Sequence, residues 1–124
     1  IERYDQAFCP MGIRVLNHFS KGQMSSGHLY LTRIPGIKEA ERNQIISRLA
    51  KEGVASNVHY KPLPMMTAYR KLGFDIKDYP NAYHQYENEI TLPLHTCLKN
   101  EDIEYIITKV VEVIRRVGEL DHAV

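Results

Sequence analysis

Two stretches of the chain repeat their apolar residues at helical intervals. Between Lys38 and Glu52, Ile45, Ile46, Leu49 and Ala50 share one helical face, while Glu41, Gln44, Arg48 and Lys51 take the other and Gly53 is placed for a left-handed cap. From Asn100 onward, Ile103, Ile106, Ile107, Val110, Ile114 and Val117 line one face. Asn100 is placed to cap this helix, Glu101 and Asp102 complement its dipole, and Gly118 is placed to end it. A two-residue alternation appears from His28 to Ile34, with Leu29, Leu31 and Arg33 on one side and Tyr30, Thr32 and Ile34 on the other, ending at Pro35-Gly36. This reads as a strand.

Shorter signals fill the remainder. Residues 1–9 read as the tail of a helix, broken at Pro10-Met11-Gly12 and followed by a short strand, Ile13 to Leu16. Ser20 to Gly27 is small and polar, a loop. Val54 to Tyr60 is rich in strand formers and stops at Lys61-Pro62. Leu63 to Asp78 suits a short helix closed by Gly73 and then a loop, and Tyr79-Pro80 begins another helix running to about Asn88. Ile90 to Leu94 is a short strand whose Pro93 places it at a sheet edge. The sum is an α+β domain: a small, mostly antiparallel sheet of about three strands packed with two long helices and several short ones.

Composition narrows the function classes. Of 124 residues, 44% are hydrophobic and 25% charged, as in a folded domain and unlike a disordered segment. With 16 Lys+Arg against 15 Asp+Glu the net charge is +1, which leaves no basic footprint for nucleic acid. No apolar run approaches the ~20 residues of a membrane span. Cys9 and Cys97 lie far apart without CxxC or Cys/His companions, so they read as ordinary thiols in a reducing compartment, the cytoplasm. The start, Ile1-Glu2-Arg3-Tyr4, is neither a basic leader nor an initiator methionine, and reads as the interior of a longer parent.

Candidate chemistry concentrates at Asn57-Val58-His59-Tyr60-Lys61-Pro62, where an amide, an imidazole, a phenol and an ammonium fall within five residues at the end of a strand. Strand geometry would turn Asn57 and His59 one way and Val58 and Tyr60 the other. The same residues read as a turn-capping Asn, a hydrogen-bonded His and a core Tyr. Histidines 18, 28, 59, 84, 95 and 122 show no HxxxH or HxH spacing, so no protein-built metal site is expected. GxGxxG, GxxxxGK[ST] and GxSxG are missing, and no catalytic nucleophile stands out. Tyr79, Tyr83 and Tyr86 share a helical face, suited to packing rings against the sheet.

Five ordered blocks carry a family resemblance: Ser25-Ser26-Gly27-His28-Leu29-Tyr30, Gly53 to Leu63, Tyr69-Arg70-Lys71-Leu72-Gly73-Phe74, Tyr79-Pro80-Asn81-Ala82 and Thr91-Leu92-Pro93-Leu94-His95. Over roughly residues 1–118 the chain resembles the C-terminal small domain of the DegT/DnrJ/EryC1/StrS sugar aminotransferases. The resemblance implies an aspartate-aminotransferase-like fold whose large domain binds pyridoxal phosphate (PLP) through a lysine, with residues 1–9 the tail of an interdomain helix. It implies transfer of an amino group from glutamate to a nucleotide-linked keto sugar by a homodimer, PLP supplying the electron sink. The family's histidine-aromatic motif falls on His59 to Pro64, beside the sugar-nucleotide pocket.

On that resemblance His59 and Tyr60 are substrate-side residues, with Asn57 and Lys61 as helpers for hydroxyl or phosphate oxygens. Pro64 departs from the histidine that relatives commonly carry, which places that residue's role in doubt here and points to a different substrate. No lysine of this chain is expected to hold PLP, no cofactor is expected on this domain alone, and the isolated chain is expected to be catalytically silent. The competing reading is an independent α+β binding or regulatory module, since a fold does not imply a function. A lobe parted from a large domain should show an exposed apolar patch beyond the few hundred Å² usual for monomers, involving the 1–16 segment and the 59–75 loop; a self-contained module should not.

Overall fold

The structure is a computed structural model that describes residues 1–121. Its centre is a three-stranded antiparallel sheet in the order β1 (Arg14–Val15), β4 (Tyr30–Arg33), β5 (Glu89–Leu92). A second sheet is a hairpin of β2 (Phe19–Ser20) and β3 (Gln23–Met24). Among the described residues five α-helices accompany them: α1 (Glu2–Phe8), α2 (Glu39–Lys51), α3 (Thr67–Lys71), α4 (Pro80–Tyr86) and α5 (Asn100–Asp121). The α+β reading holds, with a small antiparallel sheet, two long helices and several short ones.

One face of the sheet meets α1, α2 and α5 in a single core. Tyr30 and Ile34, Ile90 and Leu92 of that face pack with Tyr4 and Phe8, Ile45 and Leu49, and Ile106, Val110, Val113 and Val117. Of the two sides of the His28–Ile34 alternation, the one carrying Tyr30 and Thr32 is inward, although the other holds two leucines. The polar tips are satisfied: Tyr30 donates to Asp5 Oδ1 at 2.7 Å and Thr32 Oγ1 donates to the Ile90 carbonyl at 2.6 Å. Tyr4 similarly donates to the Pro93 carbonyl at 2.9 Å, which ties α1 to the chain leaving β5. Burial pushes the Tyr4 phenol up to about 12.

Helix ends differ from expectation where a side chain finds a distant partner. Asn100 does not cap α5; its Oδ1 accepts from Arg3 at 3.0 Å, and Asp102 instead takes the Lys99 backbone N–H at 2.8 Å. Glu41 does the same for Lys38 at the start of α2, at 2.7 Å. Gly118 does not end α5, which continues to Asp121. The apolar stripe pulls the helix onward, and a lone glycine costs only about 1 kcal/mol in a helix interior. At the end of α2, Gly53 has φ +74°, the left-handed conformation its position calls for.

Other expectations are corrected by local hydrogen bonding. The polar run at 20–27 contains most of the β2–β3 hairpin, with Lys21-Gly22 at its turn and Gly22 at φ +80°. Val54–Tyr60 is not a strand: it makes one bridge, Asn57 to Thr91, because the next amides are taken by side chains. The strand expected at Ile13–Leu16 shortens to Arg14–Val15. β5 lies at the sheet edge as expected, ends before Pro93, and has the single Asn57 bridge on its free side.

Two charged groups are enclosed near α2. Arg42, 1% exposed, stacks over the Tyr86 ring at 4.6 Å and pairs with Glu39 at 3.4 Å, while Tyr86 donates to Glu39 Oε1 at 2.6 Å. Tyr86 thus packs on α2, not on the sheet, and Tyr79 stays exposed. Glu87 is buried between His84 at 2.9 Å and Lys38 at 3.5 Å. The His84 hydrogen bond holds the Glu87 carboxyl below its usual 4.5, with burial working against it and Lys38 reinforcing it.

Two outcomes follow from this packing. Leu49→Ala, at a site with 0% exposure, should lower the free energy of unfolding in urea by about 2–5 kcal/mol, the cost of a core cavity. Because the Glu87 pKa is lowered on folding, its stabilisation is complete above 4.5 and is lost as pH falls through the folded value. Urea midpoints measured down the acid limb should therefore fall less steeply in Glu87→Gln than in the parent sequence; parallel limbs would contradict the assignment.

Candidate functional site

The segment after α2 crosses the outer face of β5. Asn57 exchanges both backbone hydrogen bonds with Thr91, at 3.1 and 2.8 Å, which pins the segment to the strand edge. Asn57 Oδ1 then accepts the Val58 N–H at 2.8 Å. This turns the backbone out of register, and the next amide, His59 N–H, donates to Glu89 Oε2 at 2.8 Å. The His59 ring lies over the strand with Nδ1 2.9 Å from Thr91 Oγ1, and Thr91 in turn donates to Glu89 Oε1 at 2.6 Å.

Asn57 and His59 line one cleft of about 300 Å³ with His28, Ser56, Thr91 and Leu94. Tyr60 stands out at 70% exposure, its ring edge-to-face with His59 at 4.7 Å. Lys61 belongs elsewhere, to a polar cavity of about 510 Å³ with Arg70, Phe74 and Asp75. So of the four residues singled out by sequence, Asn57 and His59 come together in one cleft, Tyr60 packs on the His59 ring without lining that cleft, and Lys61 sits in a separate cavity with a second cation. Pro64 lines that second cavity.

Glu89 and Thr91 were not among the sequence candidates. They alternate with Ile90 and Leu92, so the signal was a strand with polar residues on one face and apolar residues on the other. That pattern usually marks a face open to water, and here the 57–60 segment covers it. Glu89 is 2% exposed, and burial raises its carboxyl above the usual 4.5, opposed by the Thr91 and His59 hydrogen bonds and by the His59 and Arg42 charges.

The exposed large apolar residues concentrate in two parts of the chain: Met11, Leu16, Phe19 and Met24 in one, Tyr60, Leu63, Met66, Leu72, Phe74 and Tyr79 in the other. Met11 and Leu16 fall in the 1–16 segment and Tyr60, Leu63, Met66, Leu72 and Phe74 in the 59–75 loop, while Phe19, Met24, Tyr79 and the exposed Tyr105 fall outside both. Among the described residues no cluster of three or more His, Cys, Asp and Glu could hold a metal ion, and no helix is long and apolar enough to cross a membrane.

Comparison with known proteins matches residues 1–111 to the DegT/DnrJ/EryC1/StrS aminotransferase family. The chain belongs to that family. Spr1654 of Streptococcus pneumoniae, assigned as a sugar aminotransferase, is 52% identical in its PMP-form structure and superposes with a TM-score of 0.94, over 98% of this chain and 31% of that one. Its PLP-form structure is 53% identical with a TM-score of 0.90, over 94% of this chain and 30% of that one. A Helicobacter pylori UDP-4-amino-4,6-dideoxy-N-acetyl-beta-L-altrosamine transaminase is 32% identical over 88 residues, 71% of this chain and 23% of that protein. The chain therefore spans about a quarter to a third of the length of these relatives.

The described lysines do not fit as partners of PLP. A lysine that forms a Schiff base needs a depressed pKa from burial or a neighbouring cation. All but one of the lysines are exposed; Lys61 shares a cavity with Arg70, but both are open to water, which screens the two charges from each other, and the exception, Lys109, lies 3.2 Å from both Glu52 and Glu112, which raise its pKa.

A pH signature follows from Glu89. A carboxyl raised on folding costs nothing below 4.5, where it is protonated folded and unfolded; its cost grows as pH rises and is complete above the folded value. The stability of Glu89→Gln relative to the unsubstituted chain should therefore increase as pH rises from 4.5, read from urea midpoints. A difference independent of pH would contradict the assignment.

Proposed function

We propose that this chain is the C-terminal small domain of a PLP-dependent sugar aminotransferase that moves an amino group from glutamate to a nucleotide-linked keto sugar. The observation that carries the proposal is the 52% identical, TM-score 0.94 superposition on a protein assigned as a sugar aminotransferase, covering nearly all of this chain and under a third of that one. The UDP-sugar transaminase of H. pylori supports a nucleotide sugar as the substrate class. Oxoglutarate in the name of a Shewanella sediminis relative, a UDP-4-amino-4-deoxy-L-arabinose–oxoglutarate aminotransferase, supports glutamate as the amino donor.

In this reading the domain supplies binding and closure while the chemistry lies elsewhere in the polypeptide. PLP, when bound, supplies the electron sink that stabilises a carbanion next to the transferred nitrogen. The contribution of this chain is the cleft of Asn57 and His59, with the exposed Tyr60 ring against His59, as the side that meets the sugar. Lys61, with Arg70 beside it, offers cationic groups at a distinct cavity suited to phosphate oxygens. The exposed apolar residues at 60–79 would be covered by the large domain or by a second subunit of a cytoplasmic homodimer.

The test has two arms. The isolated chain with PLP, glutamate and a nucleotide-linked keto sugar should transfer no amino group faster than free PLP does. The polypeptide joining it to a PLP-binding domain of the family should bleach the visible band of bound PLP on adding glutamate and regain it on adding the keto sugar. A joined polypeptide that binds PLP yet shows neither change would refute the proposal and leave the binding-module reading ahead.

A further inference from the structure

The buried polar face of β5 makes a directional chain of hydrogen bonds that ends on His59. Glu89, as a carboxylate, can only accept: Oε2 takes the His59 backbone N–H at 2.8 Å and Oε1 takes the Thr91 hydroxyl proton at 2.6 Å. A hydroxyl has one proton, so Thr91 Oγ1 can meet His59 Nδ1, 2.9 Å away, only with a lone pair. Nδ1 must therefore carry the ring proton. A neutral imidazole has a single N–H, which leaves Nε2 with a free lone pair. Among the described residues the ring makes its hydrogen bond through Nδ1, and Nε2 has no partner.

The geometry points to Glu89 and Thr91 as positioning residues that hold His59 in the Nδ1–H tautomer, so that Nε2 accepts a hydrogen bond from a ligand hydroxyl in the cleft. This rests on the proposal that His59 is a substrate-side residue, and it deepens that proposal by giving the ring a role and a polarity. The cleft selects a donor. A sugar hydroxyl fits that requirement, whereas a phosphate or carboxylate oxygen has only lone pairs to offer and would be repelled by neutral Nε2. The neighbouring His28, Ser56 and Asn57 leave the cleft without a lysine or arginine, consistent with a neutral polyol there and anionic groups at the Lys61 and Arg70 cavity.

Simple satisfaction of a buried carboxylate explains less. Glu89 already has a backbone donor in His59 N–H, and an apolar residue on a strand this enclosed would avoid burying a charge at all. The charge does what a leucine could not: it sets the direction of the Thr91 hydroxyl, and through it the protonation site of the ring.

The test reads the tautomer directly. Long-range proton–nitrogen correlation spectra of the nitrogen-labelled chain at about pH 8, where an unperturbed histidine is neutral, distinguish the two ring nitrogens, and His59→Gln identifies the His59 signals by their loss. The expected result is a protonated Nδ1 and an unprotonated Nε2. Glu89→Gln should invert the two shifts: its carbonyl must face the His59 N–H, its amide must then donate to Thr91, and Thr91 must donate to Nδ1. Thr91→Ser should keep the original tautomer and Thr91→Val should release it.

A wild-type His59 ring protonated at Nε2, its signals assigned through the bonds from its own backbone should His59→Gln not fold, overturns the proposal whether or not the other variants fold, and so does a folded Glu89→Gln whose ring shifts do not invert. The substrate half is read separately, in the polypeptide joined to its PLP-binding domain. There His59→Gln should raise KM for the nucleotide sugar about tenfold, the loss of one ordinary hydrogen bond, and leave KM for glutamate unchanged. An unchanged sugar KM alongside the expected tautomer would remove the ligand role and leave the relay, so the two failures can be told apart.

Discussion

Strand β5 is covered on both faces, and the two-residue repeat of its side chains divides its four residues between two tasks. Ile90 and Leu92 enter the core with Tyr30, Leu49 and the α5 valines, and anchor the strand. Glu89 and Thr91 point the other way, to the 57–60 segment laid across them. The rigidity needed at the cleft is therefore set by the packing that folds the domain. A site built on a strand is held more tightly than one built on a loop, and here the loop residue His59 borrows the strand's order through two hydrogen bonds.

The same arrangement explains why 54–60 is not a strand despite its composition. To pair with β5 along its length, His59 would give its amide to a backbone carbonyl; it gives it to the Glu89 side chain instead. One bridge at Asn57 fixes position along β5, and side-chain bonds then aim the ring. Beyond Tyr60 the chain leaves the sheet, and Lys61 lands in a different cavity from His59. Cation and imidazole are neighbours in sequence and line separate cavities.

What could be read from sequence followed from repetition. The apolar stripes of α2 and α5 and the alternation of β4 each give several concurring positions, so the elements and most of their core residues were legible, while Ala50 of the α2 stripe is exposed and Val113, outside the α5 stripe, is buried. The β2–β3 hairpin is two residues per strand, too short to show a period. Arg42 was hidden because a guanidinium on a helix reads as solvated, and only the fold brings Tyr86 and Glu39 to enclose it. For the candidate site, Asn57 and His59 stand out in the sequence because unlike polar groups crowd one short stretch, and the fold puts both in one cleft. Glu89 and Thr91 were missed because a polar face on a strand is ordinarily a wet one, and its burial depends on a segment 30 residues away in sequence.

The outer face of β5, through His59, is the surface proposed to meet the sugar. A crystal structure of the polypeptide joined to its PLP-binding domain, with a nucleotide sugar bound, measures this directly. The account predicts a sugar hydroxyl within about 3 Å of His59 Nε2, a normal hydrogen-bond length. A sugar ring seated away from the Asn57–His59 cleft, with water or protein against Nε2, would contradict it.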